Sequence, residues 1–585
     1  MTKKWWHNKV AYQIYPKSYM DSNGDGIGDL RGIIGKLDYL KELGVDIIWL
    51  SPIYKSPLAD QGYDIADYYE IDPRFGTMDD MDELIAEAKK RDMYILMDLV
   101  VNHCSDEHEW FKKACEDPDG KYGKYFYIVD ITRDTGSVSD TDRINRANCN
   151  LPTNWRSYFG GPVWDKLPGH DDKMYMHLFH KKQPDLNWEN EEVREEVYKM
   201  VNWWLDKGLG GFRIDAIINI KKPSILHDYP ADRTDGLCSM HMVLDDARGV
   251  GEFLKELKER TFEPHNSFTV GEVFDVDSEG VRDFISEEGY FSSMFDFSTV
   301  LLGTSEKGWY DFAPVKASDY IKATYEAQVN ANGIGMMSNI IENHDEPRGV
   351  SHYLPELSGE EYERACKMLA MINMFKRGLP FIYQGQEIGM ENCPFGSIDD
   401  IDDCSTKDEY EVARRAGLND KEAFDAIKRM SRDNSRTPMQ WDSSANAGFS
   451  TGTPWLMVNP NYDRINVSDE LKNQDSLLNF YKRIIAVRKE SEYSETLIYG
   501  DAEIMKQPDE SVMSFYRVSD ECRLLFLANY QENEVTVKLP DNERAECIIV
   551  DNMVANDTFN NITDTGSINL RPYEAVLVKI MSILT

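Results

Sequence analysis

Three carboxylic acids each stand at the end of a short apolar run. Asp215 follows GGFRI, Glu272 ends FTVGE, and Asp345 lies in the segment ENHD. Cleavage of a glycosidic bond needs two facing carboxyl groups, one to attack the anomeric carbon and one to protonate the leaving oxygen. A third anion can stabilise the positive charge that develops on the sugar. The three acids therefore predict glycosidic chemistry if the fold brings them together.

Basic groups accompany these acids. Arg213 stands two residues before Asp215, so both side chains lie on the same face of an extended strand. A guanidinium there favours the ionised form of Asp215, which a nucleophile requires. His103 and His344 follow other apolar runs and can donate hydrogen bonds to sugar hydroxyls. No HxxxH or CxxC spacing points to a catalytic metal.

The apolar runs alternate with helical patterns. Before Asp215, the residues Val193, Val197, Val201 and Trp204 share one face of a helix, and Gly208 marks where it stops. Repeated helix and strand with polar residues at the strand ends predicts an α/β protein, a (β/α)8 TIM barrel. The predicted strands are residues 10–15, 46–50, 94–101, 210–214 with Asp215 at the end, 268–272, 294–296, 337–341 and 379–383.

Two regions depart from the barrel pattern. Residues 103–172, after the third strand, show no barrel rhythm, and a structureless loop of that length is improbable, so they are predicted to form an inserted subdomain. Residues 1–102 and 173–500 then make up the barrel, which also carries an irregular insertion at 385–455. Short alternating runs in residues 501–585 predict a C-terminal all-β sandwich domain.

The amino-acid composition limits the classes of partner that the protein can bind. A net charge of −38 argues against nucleic acid and anionic membranes, because both carry negative charge. Nine cysteines without CxxC pairs fit a reducing cytosol. The beginning MTKKWWHNKV has no apolar signal core, and no run reaches the roughly 18 apolar residues of a membrane helix. We expect a cytoplasmic protein, a monomer or weak homo-oligomer, whose partner is a small oligosaccharide.

The segment DSNGDGIGD, residues 21–29, has oxygen-bearing groups at alternate positions. This is the spacing of a calcium loop, although Gly32 stands where an EF-hand carries its bidentate glutamate. A polar turn is the alternative. We expect a structural Ca²⁺ ion and no organic cofactor, and the predicted ligands are the side chains of Asp21, Asn23, Asp25 and Asp29 and the carbonyl of Ile27.

Several motifs resemble one enzyme family. DLVVNH (98–103), GFRID (211–215), GE (271–272) and NHD (343–345) are similar to four regions of the α-amylase family, glycoside hydrolase family 13. QPDLNW (183–188) resembles a fifth region of its oligo-1,6-glucosidase subgroup. SRDNSRTPMQW (431–441) and the 21–29 loop are typical of the same subgroup. The resemblance extends from about Trp5 to the end of the chain.

This resemblance implies roles for individual residues. Members of the family retain the anomeric configuration, which makes Asp215 the nucleophile, Glu272 the acid/base and Asp345 the stabiliser of the transition state. The resemblance also implies an ion pair between Asp60 and Arg432 that closes the pocket and makes the action exo. The remaining residues implied to line the glucose subsite are Tyr63 under the sugar, His103, Arg213 and His344 around it, and Phe179 and Gln183 at the wall.

Linkage and natural substrate stay open. Ala216 follows the nucleophile where relatives that prefer α-1,6 bonds carry Val and those that prefer α-1,4 bonds carry Thr. No arginine-rich loop follows Arg348, which disfavours sucrose isomerisation, and the acidic balance disfavours trehalose-6-phosphate. An inactive transporter-accessory homologue would lack part of the carboxylate set. We therefore expect a retaining exo-α-glucosidase of short α-glucosides, isomalto-oligosaccharides first and α-1,4 substrates or sucrose second, with transglycosylation undecided.

Overall fold

Strands occur from one end of the chain to the other. The structure is a computed structural model that describes residues 2–132, 151–233, 235–274, 277–553, 562–563 and 566–582. Its strands are β1 (Ala11–Ile14), β2 (Ile47–Leu50), β3 (Tyr54–Lys55), β4 (Asp67–Ile71), β5 (Tyr94–Leu99), β6 (Ile128–Asp130), β7 (Trp164–Lys166), β8 (Lys173–Met176), β9 (Gly211–Ile214), β10 (Phe268–Gly271), β11 (Ser293–Met294), β12 (Ser338–Asn339), β13 (Leu379–Tyr383), β14 (Asp501–Ile504), β15 (Val512–Val518), β16 (Arg523–Asn529), β17 (Val535–Lys538), β18 (Glu543–Asp551), β19 (Ile562–Thr563), β20 (Ser567–Leu570) and β21 (Ala575–Ser582).

Helices separate most of the strands before β14. They are α1 (Leu30–Ile34), α2 (Leu37–Leu43), α3 (Met78–Lys90), α4 (Glu109–Glu116), α5 (Glu191–Asp206), α6 (Met240–Leu244), α7 (Val250–Leu257), α8 (Ser278–Ile285), α9 (Ala317–Ala331), α10 (Gly349–Tyr353), α11 (Gly359–Phe375), α12 (Cys404–Arg415), α13 (Asp420–Ile427), α14 (Asp433–Arg436), α15 (Val467–Glu470), α16 (Leu477–Glu490) and α17 (Ser494–Tyr499).

Eight strands form one parallel sheet in the order β11-β10-β9-β5-β2-β1-β13-β12. This is the nearly closed barrel that the sequence predicts, and the fold class is confirmed. The C-terminal strands form two antiparallel sheets, β14-β15-β16-β21-β18 and β17-β20-β19, as expected for an all-β domain. Between β5 and α5, the strands β6, β8 and β7 make a further small antiparallel sheet.

The predicted strands are longer than the observed ones at several ends. The sixth and seventh shorten to two residues each, β11 and β12, whereas β13 agrees with its prediction residue for residue. The chain divides into two compact units. One consists of residues 1–49, 86–94 and 274–585, and the other of residues 50–85 and 95–273. These units do not test the predicted boundaries at 103–172 and 501–585, which stay predictions.

The register of β9 depends on a glycine. Gly211 has φ +150°, and a Cβ atom there would lie 1.7 Å from the carbonyl oxygen of Phe268 on β10. Only glycine permits this approach. Beyond it, Gly271 pairs with Ile214, so Asp215 and Glu272 follow two neighbouring parallel strands at the same level.

Helix α5 forms where the sequence predicts it. The Asn190 side chain accepts a hydrogen bond from the N–H of Glu192 and caps the first turn, and the valines and Trp204 of the predicted face are buried. Gly208, at φ +104°, follows its end. In the described part of the chain, no helix is both long and apolar enough to cross a membrane. The cytoplasmic location and the oligomeric state stay predictions.

Candidate active site

A buried arginine joins three carboxylates. Nη1 of Arg213 donates to Oδ1 of Asp98 at 2.8 Å and also to Oδ1 of Asp215. Nη2 of Arg213 lies 2.9 Å from Oε1 of Glu272. These residues come from β5, β9 and β10 or the positions directly after them. The fold therefore brings together two of the three predicted catalytic acids, Asp215 and Glu272, around one guanidinium.

The charge of Arg213 is fixed by these neighbours. Burial alone lowers the pKa of Arg213, but the carboxylates of Asp98 and Glu272, the Tyr63 hydroxyl and Asp215 raise it well above its ordinary value. The guanidinium is 1% exposed, so little water screens it. Arg213 is consequently a permanent cation at the centre of the site.

Asp98 is a site residue that the sequence interpretation left without a role. It pairs in register with Arg213 across β5 and β9, and its Oδ2 accepts a hydrogen bond from the Tyr63 hydroxyl at 3.2 Å. The Tyr63 ring centroid lies 5.8 Å from Cζ of Arg213. The motif DLVVNH contained Asp98, but only the strand order shows that it faces Arg213.

The backbone after Asp215 holds Glu272. The N–H of Ala216 donates to Oε2 of Glu272 at 2.8 Å. Ala216 adopts the left-handed conformation, with φ 42° and ψ 33°, which is uncommon for a residue other than glycine. Its carbonyl accepts from the N–H of Asn219 at 3.0 Å and from Nδ2 of Asn219 at 3.2 Å. Glu272 is thus held through both carboxylate oxygens, by a hydrogen bond to Oε2 and an ion pair at Oε1.

A second group of predicted residues gathers around Gln183. Nε2 of Gln183 donates to Oδ2 of Asp60 at 3.0 Å and lies 3.1 Å from Nε2 of His103. Nε2 of His103 is also 3.0 Å from the carbonyl oxygen of Tyr63. Burial lowers the pKa of His103 more than Asp185 and Asp60 raise it, so the imidazole is neutral at neutral pH.

Phe179 lies against this group. Its ring centroid is 5.1 Å from that of His103, and it stacks on Tyr158 at 4.9 Å. Tyr158 is 43% exposed, and its hydroxyl donates to Oδ1 of Asn219 at 2.9 Å. An aromatic edge therefore continues from His103 toward solvent, as expected for a pocket wall.

A buried lysine that no motif signalled supports His103. Nζ of Lys222 lies 2.6 Å from Oδ2 of Asp185 and donates to Oδ1 of Asn102 at 2.8 Å. Nδ2 of Asn102 is 3.2 Å from Nδ1 of His103. Lys222 reaches the imidazole through Asn102 and not by direct contact, so it is a positioning residue.

Asp345 has its own set of basic partners. Its Oδ1 accepts from Nη1 of Arg432 at 2.9 Å and from Nη2 of Arg436 at 2.8 Å, and its Oδ2 lies 3.1 Å from Nε2 of His344. Nδ1 of His344 is 2.8 Å from Nε2 of Gln13. Two guanidiniums and an imidazole hold Asp345 in one orientation.

Arg432 also pairs with Asp403, which the sequence did not single out. Nε of Arg432 donates to Oδ1 of Asp403 at 2.8 Å. Burial raises the pKa of Asp403, but Arg432 and Arg436 lower it by more, so that the pKa is about 2. Asp403 is therefore an anion at any ordinary pH. The pairing of Arg432 with Asp60 stays a prediction.

Comparison with known proteins agrees with these motifs. A family model described as the α-amylase catalytic domain matches residues 13–500. The chain belongs to the α-amylase family, glycoside hydrolase family 13. It is 40% identical to an oligo-1,6-glucosidase of Bacillus cereus over 99% of this chain and 100% of the relative. It is also 38% identical to a trehalose-6-phosphate hydrolase of Bacillus subtilis, over 98% of each chain.

Solved structures of the same family share the fold. An isomaltulose synthase from Klebsiella sp. LX3 matches with a TM-score of 0.90 and 33% identity over 99% of this chain and 100% of that one. The predicted family and the prediction of a glycoside hydrolase are both confirmed. The roles assigned to individual residues stay proposals.

The predicted calcium loop of this glycoside hydrolase is closed by its own hydrogen bonds. Oδ1 of Asp21 accepts from the N–H groups of Asn23 at 3.0 Å and Gly24 at 2.7 Å. Oδ2 accepts from the N–H of Gly26 at 2.8 Å and from Oγ of Ser450 at 2.6 Å. Both oxygens of Asp21 already have donors, so a cation would have to share them.

The other predicted ligands take part in the same turn. Oδ1 of Asp25 accepts from the N–H of Ile27 at 2.9 Å, and Asp29 caps α1 through the N–H of Gly32 at 2.7 Å. Among the residues that the structure describes, no three His, Cys, Asp or Glu side chains gather as metal ligands do. The arrangement is that of a polar turn, and the calcium ion stays a prediction.

The Arg213 cluster leads to a first prediction. Arg213→Lys keeps the charge but replaces a two-pronged donor by one nitrogen, which cannot hold Asp215 and Glu272 together. We expect kcat/KM to fall by about 100-fold or more, roughly 3 kcal/mol of transition-state stabilisation. The measurement is steady-state hydrolysis of isomaltose, with circular dichroism to check the fold.

The matched control for this variant is Arg194→Lys. Nε of Arg194, a partly buried residue of α5, pairs with Glu256 at 2.9 Å, outside the cluster. That variant should keep its kcat/KM. Wild-type activity in Arg213→Lys would show that the shared guanidinium is not needed.

Proposed function

We propose that the protein is a retaining, exo-acting α-glucosidase that releases glucose from the non-reducing end of short α-glucosides. The observation that carries this proposal is the guanidinium of Arg213, which holds Asp215 and Glu272 side by side at the ends of two neighbouring strands. Isomalto-oligosaccharides are the proposed first substrates, since the oligo-1,6-glucosidase of Bacillus cereus is similar over the whole length.

The proposed mechanism is a double displacement. Asp215 attacks the anomeric carbon while Glu272 protonates the leaving oxygen, and Glu272 then takes a proton from the water that releases glucose. Two inversions give net retention. Retaining enzymes place their carboxyl groups about 5–5.5 Å apart, and inverting ones about 6.5–9.5 Å apart. Two acids that share one guanidinium favour the shorter separation.

Asp345 is proposed to stabilise the charge on the sugar ring. It accepts from Arg432 and Arg436 and lies 3.1 Å from Nε2 of His344, and these contacts fix its orientation before substrate arrives. Preorganised charge of this kind costs no rearrangement when the transition state forms.

Exo action is proposed to come from closure of the pocket at Asp60 and Arg432. Gln183 positions Asp60, and Asp403 positions Arg432. Such a pair ends the pocket beyond one glucose unit and binds its hydroxyls with charge-assisted hydrogen bonds.

A substrate panel tests the proposal, with initial rates for isomaltose, panose, maltose, sucrose, trehalose, trehalose-6-phosphate and starch. We expect isomaltose and panose to have the highest kcat/KM, with starch slow because its chain ends are few and its interior is excluded. A preference for trehalose-6-phosphate, or conversion of sucrose into its isomers, would replace the proposal by the activities named for the similar proteins. Rapid internal cleavage of starch would exclude exo action.

Two substitutions separate the roles of the carboxyl groups. Asp215→Asn should lose all measurable turnover, because no covalent intermediate can form. Glu272→Gln should lose most turnover of isomaltose but keep activity on aryl glucosides, whose leaving groups need no proton. The second measurement is NMR of the first-formed glucose, which should be the α-anomer. Release of the β-anomer would show inversion.

Linkage preference gives a prediction about Ala216. Val and Thr have nearly the same volume and are both β-branched, so each meets the same strain at φ 42°. Comparing Ala216→Val with Ala216→Thr cancels that strain. We expect the isomaltose-to-maltose ratio of kcat/KM to be about fivefold or more higher in the Val variant, corresponding to the ~1–3 kcal/mol of one pocket group. Equal ratios would move the determinant to Val273, Phe274 or Glu346.

A structural calcium ion is proposed for the 21–29 loop because of its alternating oxygen groups. Calcium should raise the melting temperature and a chelator should lower it by a few degrees, while kcat stays unchanged. Asp25→Ala, which removes an exposed carboxylate of the loop, should abolish the response to chelator. If calcium does not change the melting temperature of the unsubstituted protein, the loop is a polar turn that binds no calcium.

A further inference from the structure

A second pocket, of about 160 Å³, lies between β4, α4 and α5. Its lining shares no residue with the Arg213 cluster. We name it the Trp110 pocket and define it by Tyr68, Tyr69, His108, Glu109, Trp110 and Glu196. A water-sized probe needs about 10–15 Å³, so the space holds roughly ten waters or one sugar ring.

Aromatic rings form the walls of this pocket, and neighbouring rings hold them in place. The Trp110 ring centroid lies 6.2 Å from that of Tyr68 and 5.5 Å from that of Tyr125. The Tyr69 ring packs edge-on to Trp203 at 5.1 Å. The Trp110 ring also lies 4.4 Å from the His108 ring. Aromatic rings with a few polar groups among them are typical of small-molecule sites.

Two hydrogen-bond donors belong to the pocket. Nδ1 of His108 accepts from the N–H of Trp110 at 3.1 Å, which leaves the proton of the neutral imidazole on Nε2. Burial lowers the pKa of His108 to about 4, so the ring is neutral. Within the described chain, Nε2 of His108 has no hydrogen-bond partner, and neither has the buried hydroxyl of Tyr69.

Carboxylates supply the acceptors. Glu109, exposed at the rim, pairs with Nζ of Lys113, and Oε2 of Glu196, half-buried on α5, lies 3.8 Å from Nζ of Lys199. Each carboxylate has a second oxygen that can accept from a ligand hydroxyl, and the lysines balance the two negative charges, which favours a neutral ligand. Donors, acceptors and an aromatic face together match a neutral polyhydroxylated ring.

The floor of the pocket adjoins the segment that carries His103. The hydroxyl of Tyr68 donates to the carbonyl oxygens of Val100 at 2.9 Å and His103 at 3.0 Å. A ligand in the pocket would therefore lie behind the strand end that positions a residue of the proposed glucose subsite.

We propose that the Trp110 pocket binds a neutral glucosyl unit outside the catalytic centre. Sugars are the ligands that a glycoside hydrolase of this family meets at high concentration. The ring would lie against Trp110, with hydroxyls donating to Glu109 and Glu196 and accepting from His108 and Tyr69.

The test uses the full chain carrying Asp215→Asn and 5-fluorotryptophan, so that isomaltose is bound but not consumed. The Trp110 fluorine signal, assigned by its loss in Trp110→Phe, reports on the pocket, and a substitution of a residue that lines the pocket distinguishes binding there from an effect of sugar in the active site. We expect isomaltose to shift this signal saturably, and tetramethylammonium chloride to leave it in place. Because no turnover is needed, the outcome is separate from the test of the proposed function.

Two substitutions on α5 make the test specific. Glu196→Gln removes a charged acceptor from the pocket. It should raise the dissociation constant of isomaltose, measured from the Trp110 signal, by about tenfold. Glu195→Gln changes the adjacent residue, which pairs with Arg260 at 2.9 Å and does not line the pocket, and should leave the constant unchanged.

Three outcomes would overturn the proposal. One is a Trp110 signal that isomaltose does not shift, and another is a signal that tetramethylammonium shifts instead, which would indicate a cation cage. The third is an equal response of Glu195→Gln and Glu196→Gln, which would show that the signal senses the helix and not the pocket.

Discussion

The positions of the acidic residues at the centre of this enzyme depend on a single buried cation, Arg213. A guanidinium taken out of water costs several kcal/mol unless anions surround it, and Asp98, Asp215 and Glu272 do so from β5, β9 and β10 or just beyond them. A slip of β9 by one residue would turn Arg213 to the other face of the sheet. Strand register and active-site geometry are therefore held by the same interaction.

Both proposed catalytic acids contact the same cation, although the reaction needs one of them ionised and the other protonated. A nucleophile must be ionised, and the contact with Arg213 favours that form of Asp215. An acid must carry a proton, and in this structure Oε1 of Glu272 lies 2.9 Å from Nη2 of Arg213 while Oε2 accepts from the N–H of Ala216. In the proposed mechanism, a protonated Glu272 gives up one of these contacts and turns its O–H toward the glycosidic oxygen when substrate is in place.

Local pattern predicted the elements and the acids but not the contacts between them. Helix α5 and strand β13 agree with their predictions because their apolar spacing and end signals are strong. Asp98 was left without a role because its partner lies 115 residues away, and only strand order brings them together. Lys222 and Asp403 were missed for a similar reason, since each lies in an irregular segment whose path the sequence does not reveal.

Ala216 shows why linkage resists prediction from side-chain volume. Its left-handed backbone costs energy in any residue with a Cβ, and more in a β-branched one. The same conformation aims its N–H at Oε2 of Glu272, so the strain is offset by the hydrogen bond that positions the proposed acid. A larger side chain at this position would alter both the space for the leaving sugar and the hold on Glu272. Linkage specificity and proton transfer are thus coupled through one peptide unit. The effect of a substitution at Ala216 has to be compared with that of a second substitution of the same shape, such as Val with Thr.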